Sequence, residues 1–250
     1  MKTQRIIALV KMQLTKLYRE PANLFLMLLF PAMLTIIFGL AFGDMPSETP
    51  GLSQFHFMAP GLFSYACIFI IMTVAQSFSD DREQGLLKRI NITPTTSGEF
   101  MGSHIISNTI IAMIQVAIVA VLLFALGYRP EGGVAGIVLA FILMAFLSIC
   151  SVGFGLITAT VSKSAGAATG ISFIFIMPQM FFGTFIPLTD LTRIIAMFLP
   201  SYYVTDSLTI IFNGAALTDL SIWINLAVIA SISVVIVIIG IQLFKKYGKA

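Results

Sequence analysis

The sequence predicts an all-α membrane protein whose chain crosses the bilayer six times. Three observations lead to this fold class: the composition, six long apolar stretches, and the one-sided placement of the basic residues. Hydrophobic residues make up 58% of the 250 residues and charged residues only 10%, whereas a soluble domain carries about 25% charged residues. A chain this apolar cannot cover its surface with polar groups in water, so we expect it to fold in lipid.

Six stretches carry the roughly 20 apolar residues that a helix needs to cross about 30 Å of hydrocarbon. None has an acidic or basic side chain in its interior. The fifth contains Pro178, which a membrane helix tolerates with a local kink. The six predicted spans are residues 22–42, 57–78, 104–126, 134–161, 167–186 and 221–244.

The basic residues set the expected orientation, because Lys and Arg accumulate in the cytoplasmic loops of membrane proteins. If the N-terminus is cytoplasmic, all but two of the 14 basic residues fall on the inner side, and only Arg129 and Arg193 fall outside. We therefore expect a multi-pass protein of a prokaryotic cell membrane with both termini in the cytoplasm. The inner residues are Lys2, Arg5, Lys11, Lys16, Arg19, Arg82, Lys88, Arg89, Lys163, Lys245, Lys246 and Lys249.

The remaining composition excludes two classes of partner or site. The net charge is only +3, and no basic cluster is dense enough to indicate nucleic acid. Cys67 and Cys150 both lie in apolar runs without metal-ligand spacing, so we interpret them as small buried hydrophobic residues rather than as a disulfide or a zinc site.

Residues 1–20 have the pattern of an amphipathic helix ahead of the first span, and Pro21 separates the two. A basic amphipathic helix beside a span lies at the headgroup layer, so membrane lipid is an expected partner. Two interpretations stay open: the helix only anchors the topology, or its polar face also contacts a cytoplasmic partner. The apolar face contains Ile6, Val10, Leu14, Leu17 and Tyr18, and the opposite face contains Lys2, Arg5, Lys16 and Arg19.

Residues 187–220, between the last two spans, are too long for a turn and strongly apolar. Pro187 and Pro200 bracket one short helical piece, and Asn213 with Gly214 ends a second. Pieces this short cannot cross the bilayer. We therefore predict two re-entrant half-helices in the outer leaflet, where irregular backbone needs protection by protein or lines a cavity.

Residues 79–99 form the largest cytoplasmic loop and carry dense helix signals. Asp80 or Asp81 can cap a helix, with Glu83 three residues after Asp80. Lys88 and Arg89 suit the carbonyl end of that helix, and Thr93-Pro94 ends it. Thr96-x-x-Glu99 is a second capping box that opens the third span. The loop therefore predicts a short, self-capped helix between two spans.

This loop resembles the coupling segment of type-2 ATP-binding cassette (ABC) transporter permeases, the six-span membrane subunits of exporters. The matching features are Arg82-Glu83-x-Gly85, the basic pair Lys88-Arg89, and Thr93-Pro94. The resemblance extends over the whole chain, in the amphipathic first helix, the order of the spans and the apolar outer segment. It implies that residues 1–250 form one permease domain. The implied ATPase-coupling residues are Asp81, Arg82, Glu83, Gly85, Lys88 and Arg89.

The resemblance also implies the partners. No G-x-x-x-x-G-K-[ST] phosphate loop occurs in the sequence, so ATP and Mg²⁺ would bind to a separate ATPase subunit and no cofactor to this chain. The expected assembly has two ATPase subunits and a second permease subunit, identical or related. A plainer interpretation of residues 82–89, as charge that only sets the topology, leaves the acidic residues unexplained, because Asp and Glu count little toward topology.

Without charges inside the six spans, the transport path would be lined by neutral polar and aromatic groups, which favours a lipophilic small molecule, with a polymer as the other class. Each such residue can also serve only helix packing. The candidates are Gln76, Asn108, Gln115, Thr158, Thr160, Gln179, Phe181 and Phe182. Three Gly-x-x-x-Gly pairs, which start at Gly39, Gly132 and Gly166, permit close helix contact, and one of them could lie at a dimer interface.

Two other classes of function are weighed against this one. An ion-coupled secondary transporter carries ionisable relay groups within its spans, and the predicted spans have none in their interiors. An intramembrane hydrolase needs a nucleophile beside a base, but His56 and His104 lie at span ends without a nucleophile motif. The secondary transporter is the alternative that we keep.

Overall fold

The computed structural model describes residues 3–47, 53–86, 93, 95–185 and 189–247, apart from the side chains at 22, 23 and 26. Within these ranges the chain is helical, with one isolated antiparallel bridge between Pro46 and Ser53. The helices are α1 (Thr3–Arg19), α2 (Pro21–Phe42), α3 (Gln54–Ile68), α4 (Ile70–Glu83), α5 (Ser97–Ala125), α6 (Gly133–Val161), α7 (Ala165–Met180), the π-helix Phe181–Phe185, α8 (Asp190–Ala196), α9 (Pro200–Phe212) and α10 (Leu220–Tyr247).

Five helical segments are long and apolar enough to cross a membrane, which confirms the predicted all-α membrane fold. They are Gln54–Glu83, which joins α3 and α4, then Ser97–Ala125, Gly133–Val161, Ala165–Phe185 and Leu220–Tyr247. The predicted first span falls in α2, which is 22 residues long. The apolar part of α2 with described side chains is Met27–Phe42. Because that part is shorter than a span, the first crossing stays a prediction.

The predicted pair of half-helices is confirmed as a bent pair, and its position in the outer leaflet stays a prediction. Helices α8 and α9 meet at an angle of 114° across a short break. The Thr189 hydroxyl accepts from the backbone N–H of Thr192 and so caps α8, and Pro200 begins α9 at a position where its missing N–H costs nothing. Gly214, with a φ of +77°, follows the end of α9 in a conformation that glycine adopts easily.

Helix α7 continues through Pro178 to Met180 and is followed by a π-helix over Phe181–Phe185, and the kink at Pro178 stays a prediction. Two glycines let this segment pack closely against its neighbours. A Cβ at Gly61 of α3 would approach the Thr184 carbonyl oxygen, and one at Gly183 would meet the Ser201 side chain of α9. The π-helix is therefore wedged between α3 and α9.

Two buried apolar clusters fill opposite ends of the bundle. The first joins the ends of α4, α6 and α10 to the start of α5, through Phe78, Leu156, Phe244 and Phe100. We call this the basic end, because α1 and the basic residues of these helix termini lie there. The second cluster joins α3, the end of α5, the middle of α6 and α9. Helices α4, α6 and α10 therefore run in one direction, and α5 runs antiparallel to them.

Helix α1 packs against the basic end with part of the predicted apolar face and with two residues of the predicted basic face. Leu14 and Leu17 pack against the basic-end cluster, whereas the Tyr18 side chain, predicted on the same apolar face, is 80% exposed. Arg5 and Lys16, predicted on the outer basic face, turn toward the bundle and pair with Glu99 and Asp81. The prediction was wrong for Arg5 and Lys16, because the buried carboxylates of α4 and α5 require cations.

Candidate coupling site and transport path

The predicted coupling residues begin within α4 rather than in a helix of their own. Helix α4 continues through Asp81 and Arg82 to Glu83, and Gly85, with a φ of +75°, follows its end. The prediction that Asp80 or Asp81 caps a separate helix was therefore wrong: both lie in the last turn of a transmembrane segment, whose backbone hydrogen bonds run on without a break. Lys88, Arg89 and Pro94 lie outside the described residues.

Asp81 is buried at the junction of α1, α4 and α5. Its side chain is 5% exposed and accepts a hydrogen bond from the Lys16 ammonium of α1. The neighbouring polar contacts fasten the same helix: the Gln13 amide donates to the Ser103 hydroxyl at 3.1 Å and accepts from Ser107. Asp81 is therefore satisfied within the chain, as a buried charge must be.

Arg82 reaches across to the end of α6. Its guanidinium donates to the carbonyl oxygen of Ala159 at 3.1 Å and to that of Ser162. The last carbonyls of a helix have no partner within the helix and carry its negative dipole end. The Arg82 cation therefore donates hydrogen bonds to these carbonyls and also offsets the negative dipole end of α6.

Glu83 contacts the start of the next helix. Its carboxylate accepts from the Ala165 backbone N–H at 2.7 Å, at the positive end of the α7 dipole. The Ser164 hydroxyl accepts from the Ala167 N–H and caps the same helix. Adjacent charges of opposite sign thus hold the two sides of the turn Ser162–Ser164, which joins α6 to α7.

We call Arg82, Glu83 and the helix ends that they bind the inner clamp. The family resemblance implies that Arg82 and Glu83 contact another protein. It does not predict that they bind the turn between α6 and α7. Lys163, at the exposed centre of that turn, was counted only as a topology charge. The signal was present, since Ser162 and Ser164 are typical helix-boundary residues, but nothing in the sequence links them to residues 82 and 83.

The second capping box is confirmed and stands at the edge of this site. The Thr96 hydroxyl accepts from the Glu99 N–H at 3.2 Å, and the Glu99 carboxylate accepts from the Thr96 N–H at 2.9 Å. Glu99 is 1% exposed and also lies 3.8 Å from Arg5. The start of α5 is therefore fixed by its own cap and by α1.

The predicted path residues do not form one cluster. Gln115 donates to the Met27 carbonyl of α2 at 2.9 Å, whereas Asn108 and Gln179 bond to carbonyls of their own helices, as do Thr158 and Thr160. In the part of the chain that the structure describes, no hydrogen bond joins any two of these residues. The Oε1 atoms of Gln115 and Gln179 are buried without a hydrogen-bond partner there.

Three of the path candidates remain accessible to a second chain or a substrate. Gln76 is exposed on the outer surface of α4. Phe181 is 43% exposed at the end of α7, and Phe182 is half-buried. A polar side chain on the surface of a membrane span is costly toward lipid, which favours a covered or wet environment for Gln76.

The three glycine pairs differ in what they face. A Cβ at Gly39 would meet Leu126, and one at Gly132 or Gly136 would meet Ile211, so these glycines serve contacts within the chain. A Cβ at Gly166 or Gly170 would find open space within 4 Å. These two residues begin an exposed stripe of α7, which we call the α7 stripe: Gly166, Ala167, Gly170, Phe173, Ile174, Met177 and Phe181.

One carboxylate within the bent pair of helices was not among the predicted site residues. Asp206 lies in the middle of α9 and is partly buried, and it accepts from the Asn225 amide of α10 at 2.9 Å. The predicted spans have uncharged interiors, but this half-helix does not. An acidic residue between Thr205 and Ser207 in an otherwise apolar run was the signal that could have found it.

Comparison with known protein families identifies the family of this chain. The profile of the ABC-2 type transporter family matches residues 4–213, which include α1, the inner clamp and α9. The chain belongs to the ABC-2 type transporter family. The resemblance to type-2 ABC permeases is therefore confirmed, and with it the interpretation as a multi-pass membrane protein.

One curated relative of this ABC-2 chain is a daunorubicin resistance ABC transporter permease protein of Streptomyces coeruleorubidus. The two are 23% identical over 154 residues, which is 62% of this chain and 53% of the relative. The chain thus matches about half the length of that relative.

Proposed function

We propose that this chain is the permease subunit of an ATP-driven exporter and that it works with a separate ATPase subunit. The observation that carries the proposal is the family match over residues 4–213. The geometry of the basic end supports it, because the coupling segment leaves α4 beside α1 and beside the turn Ser162–Ser164. A protein that bound there would contact three elements of the bundle at once.

The proposal assigns ATP hydrolysis to the ATPase subunit and the transport path to the membrane subunits. ATP and Mg²⁺ bind to the ATPase subunit, of which two copies serve one transporter. Closure of the ATPase pair on ATP moves the coupling segment, and the membrane subunits switch the side to which their path is open. Asp81, Arg82, Glu83, Gly85, Lys88 and Arg89 belong to that coupling region.

A second copy of this chain completes the membrane part. The α7 stripe supports this, because its small residues at the basic end and large apolar residues further along give a surface that another helix can approach closely. Gln76 then faces the space between the two copies rather than lipid. Gln179, Phe181 and Phe182 continue that path toward the opposite end.

The substrate class is a lipophilic small molecule. The lack of charged side chains among the path residues supports it, as does the name of the relative, which concerns resistance to daunorubicin. The basic end faces the cytoplasm of a prokaryotic cell, since it holds almost all Lys and Arg residues. The substrate then leaves through the end that carries α8 and α9.

The first experiment is co-purification of the tagged chain with a candidate ABC ATPase of the same organism, followed by ATP-dependent uptake of daunorubicin into inside-out vesicles. We expect a stable complex and uptake that stops when the phosphate-loop lysine of the ATPase is replaced. A chain that purifies alone and drives uptake from an ion gradient without ATP would instead establish the secondary transporter. A complex without daunorubicin uptake would leave the ATPase partnership standing and remove this substrate.

A further inference from the structure

The geometry points to Arg82 and Glu83 as positioning residues that lock α4 to α7, so that the force of the ATPase on the coupling segment moves α7 rather than ending at α4. This inference rests on the proposed function and assigns these two residues to transmission within the chain rather than to contact with the ATPase.

The hydrogen-bond partners of Arg82 and Glu83 favour a role within the chain over contact with the ATPase. Arg82 is half-buried, and its guanidinium binds the Ala159 and Ser162 carbonyl oxygens. The Glu83 carboxylate binds the Ala165 N–H at 2.7 Å. Both side chains therefore already use their charge on backbone groups of the same chain. These charge-assisted hydrogen bonds are of the stronger kind and hold both side chains at the turn between α6 and α7, although Glu83 is also exposed.

The charges of Arg82 and Glu83 match the two helix ends on either side of the turn Ser162–Ser164. The cation lies at the carbonyl end of α6 and the carboxylate at the N–H end of α7, so each charge faces the dipole end of opposite sign. Reversed charges at positions 82 and 83 would face like-signed ends. Arg82 and Glu83 are adjacent in the chain, and the two helix ends that they bind are separated only by Ser162–Ser164. The last turn of α4 therefore binds the ends of both α6 and α7.

The consequence is that α4 and the start of α7 move as one body. Within this chain, α7 is open on the face that the α7 stripe forms, where Gly166 and Gly170 meet no neighbour, so its start can follow α4 against the second copy. Its other end continues into the π-helix and to Phe181. A displacement of α4 at the basic end is therefore carried along α7 toward the part of the path that contains Gln179 and Phe181.

The test measures motion of α7 in the complete complex with its ATPase. A Phe181→Cys substitution supplies a labelling site at the far end of α7, and the native Cys67 and Cys150 are buried. The rate of its reaction with a membrane-impermeant maleimide is compared with and without ATP. This readout needs no identified substrate, and a purely structural role would not remove its response to ATP.

We expect ATP to change the labelling rate in the otherwise native complex. In Arg82→Ala and in Glu83→Ala that change should fall about tenfold, within the usual range of coupling between sites, while ATPase binding and ATP hydrolysis persist. Arg82→Lys, which keeps a cation near the carbonyls, should restore most of the response. Gln84→Ala and Lys245→Ala, at exposed positions of the same end, are the matched controls and should respond normally.

Three results would overturn the inference. Variants that fold but no longer bind the ATPase would make these residues docking contacts, and variants that keep the full response to ATP would make the clamp irrelevant. A labelling rate that ATP does not alter in the native complex would show that α7 is not the moving element. Failure of the native chain to bind any ATPase would instead remove the proposed function, and the inference with it.

Discussion

At the scale of single residues, buried charge decides how the basic end is built. Asp81 and Glu99 are almost fully buried, and each has a cation from α1 within reach, Lys16 and Arg5. A buried carboxylate without a partner is strongly unfavourable, whereas the same site with an apolar residue is often tolerated. The orientation of α1 therefore follows from two carboxylates on other helices together with the packing of Leu14 and Leu17.

Replacing Lys16 by Met tests this directly. The substitution keeps much of the apolar stem but leaves Asp81 buried and unpaired, and we expect it to destabilise the chain by about 1–3 kcal/mol. The estimate is moderate because Lys16 is itself about one-third exposed (34%). The measurement is thermal unfolding of the chain in detergent. The double variant Lys16→Met with Asp81→Leu removes both charges and should recover most of the loss; no recovery would mean that Lys16 stabilises α1 by another route.

At the scale of elements, the sequence predicts helix ends well where a local signal exists. Thr96 and Glu99 form the cap that their spacing predicts, and the Pro200 and Gly214 boundaries of α9 follow from backbone chemistry. Local signals fail where the partner is distant in the chain. The Asp81 turn continues α4 instead of starting a helix, and Arg82 binds residues about 80 positions further on.

The close packing of the π-helix gives a prediction at this scale. A Cβ at Gly61 would lie 2.5 Å from the Thr184 carbonyl oxygen, and a backbone atom cannot yield as a flexible side chain does. We therefore expect Gly61→Ala to destabilise the chain by about 1–3 kcal/mol, as overpacking does. Gly102→Ala is the matched control, since a Cβ there meets nothing within 4 Å. Equal thermal stability of the two variants would contradict the wedged position of the π-helix.

At the scale of the whole molecule, composition and periodicity suffice for the fold class, because lipid forces every spanning segment to satisfy its backbone internally. Five of the six predicted spans appear as helices of spanning length. The candidate site is harder to predict, since it arises where α4, α6 and α7 meet. The inner clamp depends on which helix ends become neighbours, and the Asp206–Asn225 contact depends on the bend between α8 and α9.

The exposed α7 stripe predicts how two copies of the chain associate. The α7 stripe is open in the part of the chain that the structure describes, and its glycines let another helix approach closely. A cysteine at Gly170 or Phe173 should therefore form an intermolecular disulfide in native membranes under mild oxidation, because both positions lie on this stripe. A cysteine at Val234, which is also exposed but on α10, is the matched control and should stay monomeric. Cys67 and Cys150 are buried and contribute no background. Cross-linking at Val234 but not on α7 would place the second copy against α10 and remove Gln76 and Phe181 from the path between subunits.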